Sequence, residues 1–202
     1  VLDTLENEGL AENTLVFFTS DNGPWLIMKE TGGSAGLLRD GKGSTWEGGM
    51  REPGIAWWPG KVKGGELCRG MSSTMDLYTT CLTIAGAEIP TDRVIDGVDM
   101  SPLLFQTGPS NRDEYFYYRG QTLYAVRKGQ FKAHYITRPA YGRGEVESHD
   151  PPVLYHLGID PSESIEMNDR FPEVLKEIEK AKKAHLETVE EVESQLEKRI
   201  EP

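Results

Sequence analysis

Two neighbouring side chains, Asp21 and Asn22, come directly after a short apolar run and could bind a cation. They supply one charged and one neutral oxygen, which suits a hard cation such as Ca²⁺ or Mg²⁺. The tetrapeptide Asp-Asn-Gly-Pro is also good turn chemistry that needs no ligand. On these residues alone the turn is favoured, and a site of about six or more ligands would need oxygens from elsewhere in the protein.

A second motif, Gly41-Lys42-Gly43, could bind an anion. Glycine on both sides leaves room for an anion to approach Lys42, whose ammonium group can neutralise sulfate or phosphate oxygens. The motif is not a P-loop, because the required glycine spacing after a strand is not met. Further along, Arg51 and Glu52 are expected to form a structural ion pair rather than to touch a ligand.

The elements that must position these residues are those of an α/β protein. Leu15–Thr19 is a continuous apolar run, which is typical of a strand buried on both faces of a parallel sheet. Ligands bind outside the carboxyl ends of such strands, where Asp21 stands. Ile55–Trp58 predicts a second buried strand, and residues 20–49 between the two form a glycine-rich loop of a length that is usually functional.

A helix is predicted after the second strand. Ser73 or Thr74 can cap it, Asp76 lies in its first turn and Gly86 ends it. Its expected apolar stripe consists of Leu77, Cys81, Ile84 and Ala85.

Beyond Pro109 short aromatic-rich strands alternate with glycine-containing turns, which predicts an antiparallel meander. The predicted strands are Glu114–Tyr118, Leu123–Arg127, Phe131–Tyr135 and Val153–Leu157. Residues 172–200 carry apolar residues at helical spacing and predict one long helix that packs on this sheet, with a coiled-coil contact as the alternative. We therefore expect an α/β fold in two parts. Residues 1–109 end a large α/β sheet domain, and residues 110–202 form a small antiparallel sheet packed by the long C-terminal helix.

Composition excludes two classes of partner. Lys+Arg 22 against Asp+Glu 33 give a formal net charge of -11, so neither nucleic acid nor an anionic membrane surface is an expected partner. No apolar run approaches the ~20 residues of a membrane span. Cys68 and Cys81 are too few for a disulfide scaffold, and whether they pair stays open because sequence gives no distance between them.

Long stretches of the chain resemble the sulfatase family, most closely the group of arylsulfatase A and N-acetylgalactosamine-6-sulfatase. The resemblance extends over nearly the whole chain, to about Asp169. It is carried by Phe18–Pro24, Leu37–Pro53, Ile55–Gly60, Met75–Thr80, Ile95–Asp99, Phe116–Gly120, Lys132–His134 and Leu154–Pro161. It implies a sulfuric ester hydrolase with an alkaline-phosphatase-like fold.

The resemblance also implies roles for four residues. Asp21 and Asn22 match a pair of divalent-cation ligands, usually for calcium. Lys42 matches a lysine that contacts the substrate sulfate, so a catalytic and substrate-binding role is expected for it. His149 lies in a loop that approaches the pocket mouth in the family, so a substrate-side role is weighed there against an ordinary loop histidine.

The chain departs from the family pattern at the nucleophile. The family makes a formylglycine within Cys/Ser-x-Pro/Ala-x-Arg, and neither Cys68, Cys81 nor any serine fits that motif. The chain opens at Val1 with neither an initiator Met nor a signal-peptide pattern, although a processed mature chain could also begin so. We therefore expect the later part of a longer sulfatase, inactive alone, with the formylglycine upstream.

The expected substrate is a sulfate ester, either a sulfated sugar or an aryl sulfate. The expected partner is the missing N-terminal sulfatase segment, or a second copy that associates through residues 1–60, because the first strand lacks its sheet neighbours. A secreted, periplasmic or lysosomal location follows from the resemblance alone. The alternatives are a non-catalytic sulfatase-like binding or assembly module and, more weakly, a phosphoesterase of the same superfamily.

Overall fold

The computed structural model describes residues 1–142 and 144–192, and within them the chain forms two antiparallel sheets and several helices. The strands are β1 (Val16–Thr19), β2 (Gly54–Trp57), β3 (Glu114–Arg119), β4 (Thr122–Lys128), β5 (Phe131–Thr137) and β6 (Glu147–His156). The α-helices are α1 (Leu2–Asn7), α2 (Glu47–Met50), α3 (Asp76–Ala85), α4 (Ser101–Leu104) and α5 (Pro172–Leu186). Short 3-10 turns lie at Ala11–Asn13, Leu26–Gly32 and Ala140–Gly142.

Strands β3 to β6 form the predicted antiparallel meander, in sequential order. Two-residue turns join β3 to β4 and β4 to β5, and each begins with a glycine in the left-handed region, Gly120 and Gly129. One face of this sheet packs on α5 around Val126, Ala133 and Leu154. The meander is therefore confirmed, although β6 begins six residues earlier than the predicted Val153.

Helix α5 is shorter than the predicted helix over 172–200. It begins with Pro172 in its first turn, as expected, and ends at Leu186. Residues 187–192 are not helical, and three glutamates there would lie unfavourably at the C-terminal end of a helix dipole. The rest of the predicted helix, residues 193–200, lies outside the described residues.

The smaller sheet differs from its prediction. Strands β1 and β2 pair with each other in antiparallel register, with Phe18 opposite Ile55. Within the described residues the predicted parallel pairing is wrong, since β1 pairs antiparallel with β2. Phe18 is 68% exposed and Ile55 is 57% exposed, and burial of this sheet on both faces stays a prediction because its other strands are expected outside these 202 residues. The α/β class holds only in the coarse sense of a chain that combines helices and sheets, and the division near residue 109 stays a prediction.

Helix α3 is where expected, but its buried face is polar. The buried side chains are those of Asp76, Thr79 and Thr80. The Asp76 carboxylate accepts the N–H of Ser73 at 2.8 Å and forms an ion pair with Arg112 at 2.5 Å. The predicted apolar stripe is wrong in part, since Leu77 and Ile84 are half-buried but Cys81 and Ala85 are exposed. Hydrogen bonds of the three buried polar side chains to residues 97–100 fix the helix instead. Gly86 ends the helix in the left-handed region, as predicted.

Two further observations concern the surface. Cys68 and Cys81 are both exposed and both free, which answers the question of their pairing. Across residues 1–142 and 144–192, the helices are too short or too polar to cross a bilayer.

Candidate functional site

Two loops that are distant in sequence, residues 20–25 and 39–49, pack against each other through glycine backbone. The N–H of Gly23 donates to the carbonyl oxygen of Gly49 at 3.1 Å. A Cβ on Gly23 would lie 1.9 Å from the carbonyl oxygen of Gly48, so the approach requires glycine. This contact places Asp21 and Asn22 beside the loop of Lys42.

The turn that carries Lys42 is fixed by its backbone. The N–H of Lys42 donates to the carbonyl oxygen of Pro24 at 2.9 Å, and a Cβ on Gly41 would lie 2.5 Å from the same oxygen. Ser44 donates both its N–H and its hydroxyl to the carbonyl oxygen of Gly41, at 3.1 and 3.0 Å. The Lys42 side chain is exposed, so its ammonium group remains accessible to an anion.

Asp40 holds the start of this turn against the second half of the chain. Its backbone lies in the left-handed region, with φ 61°, and one carboxylate oxygen accepts the N–H of Gly41 at 2.9 Å. The other oxygen accepts the N–H of Ala140 at 2.9 Å. At the far end of the loop, the N–H of Gly48 donates to the carbonyl oxygen of Arg39 at 2.8 Å and closes it.

Asp21 and Asn22 fit a hard cation in the kind of donor but not in number. Asp21 is exposed, Asn22 is half-buried, and the Ser20 hydroxyl donates to the backbone carbonyl of Asn22 at 2.9 Å. Among the described residues there is no group of three or more His, Cys, Asp or Glu that could hold a metal ion. Two side-chain oxygens leave most of a calcium coordination shell unfilled.

A second carboxylate, that of Glu52, lies close to Asp21. Burial, and after it the charge of Asp21, raises the pKa of the Glu52 carboxyl. Its Oε1 is buried without a hydrogen-bond partner in the described part of the chain. The expected ion pair between Glu52 and Arg51 is not found in the described part of the chain, and the Arg51 side chain is exposed. A cation at Asp21 would therefore lie near a carboxylate oxygen that otherwise lacks a partner.

Four titratable side chains are buried beneath the Lys42 loop, and we call them the buried charge cluster: Glu47, Lys132, His134 and Glu163. The Lys132 Nζ donates to Oε1 of Glu47 at 3.0 Å and lies 3.2 Å from Oε1 of Glu163. The same Glu163 oxygen is 2.7 Å from Nε2 of His134, and its other oxygen accepts the N–H of Glu47 at 2.6 Å. Because Glu47 belongs to α2 while Lys132 and His134 belong to β5, the cluster fastens the loop to the sheet.

Backbone and aromatic groups complete the cluster. The carbonyl oxygen of Glu163 accepts a hydrogen bond from the Arg39 guanidinium at 2.8 Å, and that guanidinium stacks on Trp46. Glu163 lies in the left-handed region, with φ 51°, which costs a non-glycine residue about 1 kcal/mol. The strain persists because hydrogen bonds at both its carboxylate and its carbonyl hold the residue in place.

The charges of the cluster balance near neutral pH. For both carboxyls burial is the largest single effect and works to raise the pKa. The charge of Lys132, together with the neighbouring positive groups and hydrogen bonds, outweighs it, so the pKa of Glu47 and that of Glu163 are lowered. Burial lowers the pKa of His134 to about 4, against the bond to Glu163, so the ring is neutral. Arg127 lies 3.5 Å from Glu47 and supplies the second positive charge.

Sequence reasoning missed this cluster. One signal for it existed, since Lys132 and His134 stand two residues apart on a predicted strand and must share a face. The partner was hidden, because Glu163 lies 116 residues from Glu47, in a segment with no local pattern of its own.

His149 is not in the expected loop. It lies on β6, and its Nε2 is 2.8 Å from the hydroxyl of Thr137. It lines an open groove of about 700 Å³ between β6 and α5, next to Tyr135 and Leu175. The structure thus brings Asp21, Asn22 and Lys42 together but places His149 in a groove whose lining contains none of the three. The roles of all four stay predictions.

Comparison with known proteins identifies the same regions. One family model, sulfatase, matches residues 1–87, and a second, the C-terminal region of aryl-sulfatase, matches residues 110–201. N-acetylgalactosamine-6-sulfatase of Rattus norvegicus is 44% identical over 85% of this chain and 36% of that protein. Arylsulfatase A of Homo sapiens is 42% identical over 77% of this chain and 34% of that protein. The crystal structure of PsFucS1 sulfatase from Pseudoalteromonas sp. matches with a TM-score of 0.83 and 32% identity, over 93% of this chain and 39% of that one.

Fold and sequence together therefore define an α/β chain that matches sulfatases over most of its length. More particularly, the chain belongs to the sulfatase family, which confirms the resemblance carried by its motifs. It spans about a third of the length of the two curated relatives named above.

Proposed function

We propose that this chain is the C-terminal part of a sulfatase that hydrolyses the sulfate ester of a sulfated sugar or an aryl sulfate. The observation that carries the proposal is the contact of Gly23 with Gly48 and Gly49, which sets an oxygen pair beside an exposed lysine. A net charge of -11 would repel an anionic substrate in bulk, so binding requires a local positive group. Lys42 is such a group on a rigid turn.

Each site residue has a role in this proposal. Lys42 neutralises sulfate oxygens, and Asp21 with Asn22 would hold Ca²⁺ or another hard divalent cation. The cation would add positive charge where the sulfate oxygens become more negative. The formylglycine nucleophile and the remaining cation ligands would come from outside these 202 residues. His149 would contact a part of the substrate that lies away from the sulfate.

The proposal extends to the whole protein. An alkaline-phosphatase-like α/β domain would complete the small sheet of β1 and β2. A secreted, periplasmic or lysosomal location is proposed on family grounds alone.

A non-catalytic sulfatase-like module for binding or assembly is the second candidate. The chain contains no Cys/Ser-x-Pro/Ala-x-Arg motif, which fits the module and equally fits an enzyme whose motif lies outside these 202 residues. The sequence that precedes Val1 in the gene separates the two candidates, because only the enzyme requires that motif upstream.

The test uses the natural polypeptide that contains this sequence. We expect it to hydrolyse a chromogenic aryl sulfate or a sulfated hexose, to lose activity on chelation and to recover it with Ca²⁺. Lys42→Ala should lower kcat/KM by about two orders of magnitude, the effect of removing one charge-stabilising donor. Lys63→Ala, a lysine whose side chain is 68% exposed, is the matched control and should leave kcat/KM unchanged. No turnover of either ester would refute the enzyme and favour the module.

A further inference from the structure

A half-exposed tryptophan stands next to Lys42. Trp25 exposes 46% of its surface, whereas Trp46 and Trp58 expose 5% and 9%. The Lys42 Nζ lies 5.7 Å from the centre of the Trp25 ring, within the range of a cation–π contact. A group attached to an anion on Lys42 would therefore lie close to this ring.

The backbone of Trp25 is fixed at both of its polar groups. Its N–H donates to the carbonyl oxygen of Gly32 at 2.8 Å, and its carbonyl oxygen accepts the N–H of Met28 at 2.9 Å. A Cβ on Gly32 would lie 1.9 Å from that carbonyl oxygen, so the loop closes in this way only around glycine. The preceding Pro24 accepts the N–H of Lys42, which fixes the position of the tryptophan relative to the lysine. Rigid aromatic side chains lose little entropy when they bind a ligand.

The surroundings of the ring are apolar. Leu26, Ile27 and Met28 follow it and are each at least 40% exposed. This surface thus places the charge of Lys42 beside an apolar face that begins at the indole. The ligand that fits such a surface is amphiphilic, with an anion on one side and a flat apolar face on the other.

We propose that Trp25 stacks on the ring that carries the sulfate ester while Lys42 contacts the sulfate. The inference rests on the proposed function and makes Trp25 a specificity-determining residue for it. Both an aryl ring and the C–H face of a pyranose offer a flat apolar surface one ester oxygen from the sulfate. A straight-chain alkyl sulfate offers the anion without that surface.

The first experiment compares these esters on the natural polypeptide. Trp25→Ala should lower kcat/KM about three- to ten-fold, mainly through KM, for the ring ester that the enzyme uses and not for an alkyl sulfate. Trp25→Phe should restore most of the loss, since it keeps an aromatic face. A loss confined to an aryl sulfate or to a sulfated pyranoside supports the inference and identifies the ring. An equal loss for the alkyl sulfate, or no loss, overturns it.

The second experiment separates this inference from the proposed function. Binding of phenyl sulfate and of a sulfated pyranoside is measured by calorimetry on the natural polypeptide, on Trp25→Ala and on Leu37→Ala, an 80% exposed control in the same loop. Ring binding that is lost only in Trp25→Ala supports stacking on Trp25. It does so even where no ester is hydrolysed, a result that would refute the proposed sulfatase activity but not the stacking. Hydrolysis with unchanged binding in Trp25→Ala, or no ring binding in any of the three proteins, overturns the inference.

Discussion

The ammonium group of Lys132 has three N–H donors and three acceptors around it, although the side chain is fully buried. The acceptors are the carbonyl oxygen of Thr45 at 2.7 Å, Glu47 at 3.0 Å and Glu163 at 3.2 Å. A buried charge is tolerated only when such partners satisfy it, and removing one partner leaves the other charged and desolvated. Any displacement of the Lys42 loop would separate a donor from its acceptor, so the cluster fixes the position of that loop.

The neutral His134 in this cluster should make stability depend on pH. Its pKa is lowered by burial to about 4, against an ordinary value near 6.5. The contribution of His134 to the free energy of unfolding is therefore fully present above pH 6.5. It is lost as the pH falls from about 6.5 towards 4, by up to about 3 kcal/mol. The carboxyls of Glu47 and Glu163 have lowered pKa values, so the stability that they contribute is present above about pH 4.5 and is lost only as the pH falls below it.

The measurement is urea unfolding at several pH values, followed by the intrinsic fluorescence of the four tryptophans. One of them, Trp46, has its ring 4.2 Å from that of His134. His134→Gln can still donate to Glu163 but does not titrate, so the slope of its unfolding free energy between pH 6.5 and 4.5 should be clearly smaller than that of the unmodified chain. The remaining slope belongs to His185, whose pKa burial also lowers. A slope in that window equal to that of the unmodified chain would show that another group is responsible.

At the scale of elements, the sequence patterns predicted correctly those strands and turns that depend on residues close together in the chain. The meander was predictable because Gly120 and Gly129 end strands at the points where two-residue turns require glycine. The length of α5 was not, since apolar spacing continued beyond Leu186 with nothing described for it to pack against. The polar face of α3 and the bond from Glu163 to Glu47 depend on residues far along the chain, which no local pattern encodes.

The candidate site was predictable only in part, because its residues belong to local motifs but the contact between them does not. Its motifs identified Asp21, Asn22 and Lys42 individually, and the contact that joins them depends on Gly23, which local analysis assigned to a turn. His149 was misplaced because the expected start of β6 fell too late in the chain.

The packing of the two loops should therefore depend on Gly23. Gly23→Ala places a Cβ 1.9 Å from the carbonyl oxygen of Gly48, which is backbone and cannot move aside without moving the Lys42 loop. We expect about 1–3 kcal/mol of destabilisation, typical of overpacking, and a loss of sulfate-ester hydrolysis in the natural polypeptide. Urea unfolding and a kinetic assay measure the two effects.

Gly54→Ala is the matched control for this change. A Cβ at Gly54 meets nothing within 4 Å, and its backbone is not in the left-handed region, so both stability and activity should stay close to those of the unmodified protein. Equal effects of the two alanines would show that the contact between the loops does not organise the site.

At the scale of the whole molecule, the small sheet exposes apolar side chains that a sheet normally covers. Strands β1 and β2 pair only with each other within the described residues, so each has a free edge, and Phe18 and Ile55 stand together on the exposed surface. Free edges and apolar faces of this kind favour association. The face is the place where the rest of a sulfatase domain, or failing that a second copy, would pack.

We therefore expect the 202-residue chain alone to self-associate and to show no turnover of a chromogenic aryl sulfate. Light scattering should give a mass above that of one chain, and Phe18→Glu with Ile55→Glu should shift it towards the monomer, because two carboxylates would be desolvated on association. Leu67→Glu is the control, since Leu67 is 74% exposed in a loop outside both sheets and its replacement should leave the mass unchanged. A monodisperse monomer of the unmodified chain would contradict this expectation, because it would show that the exposed β1–β2 sheet does not drive association. Turnover by that chain would show that its own residues suffice for hydrolysis, and would contradict the expectation that the nucleophile motif is required.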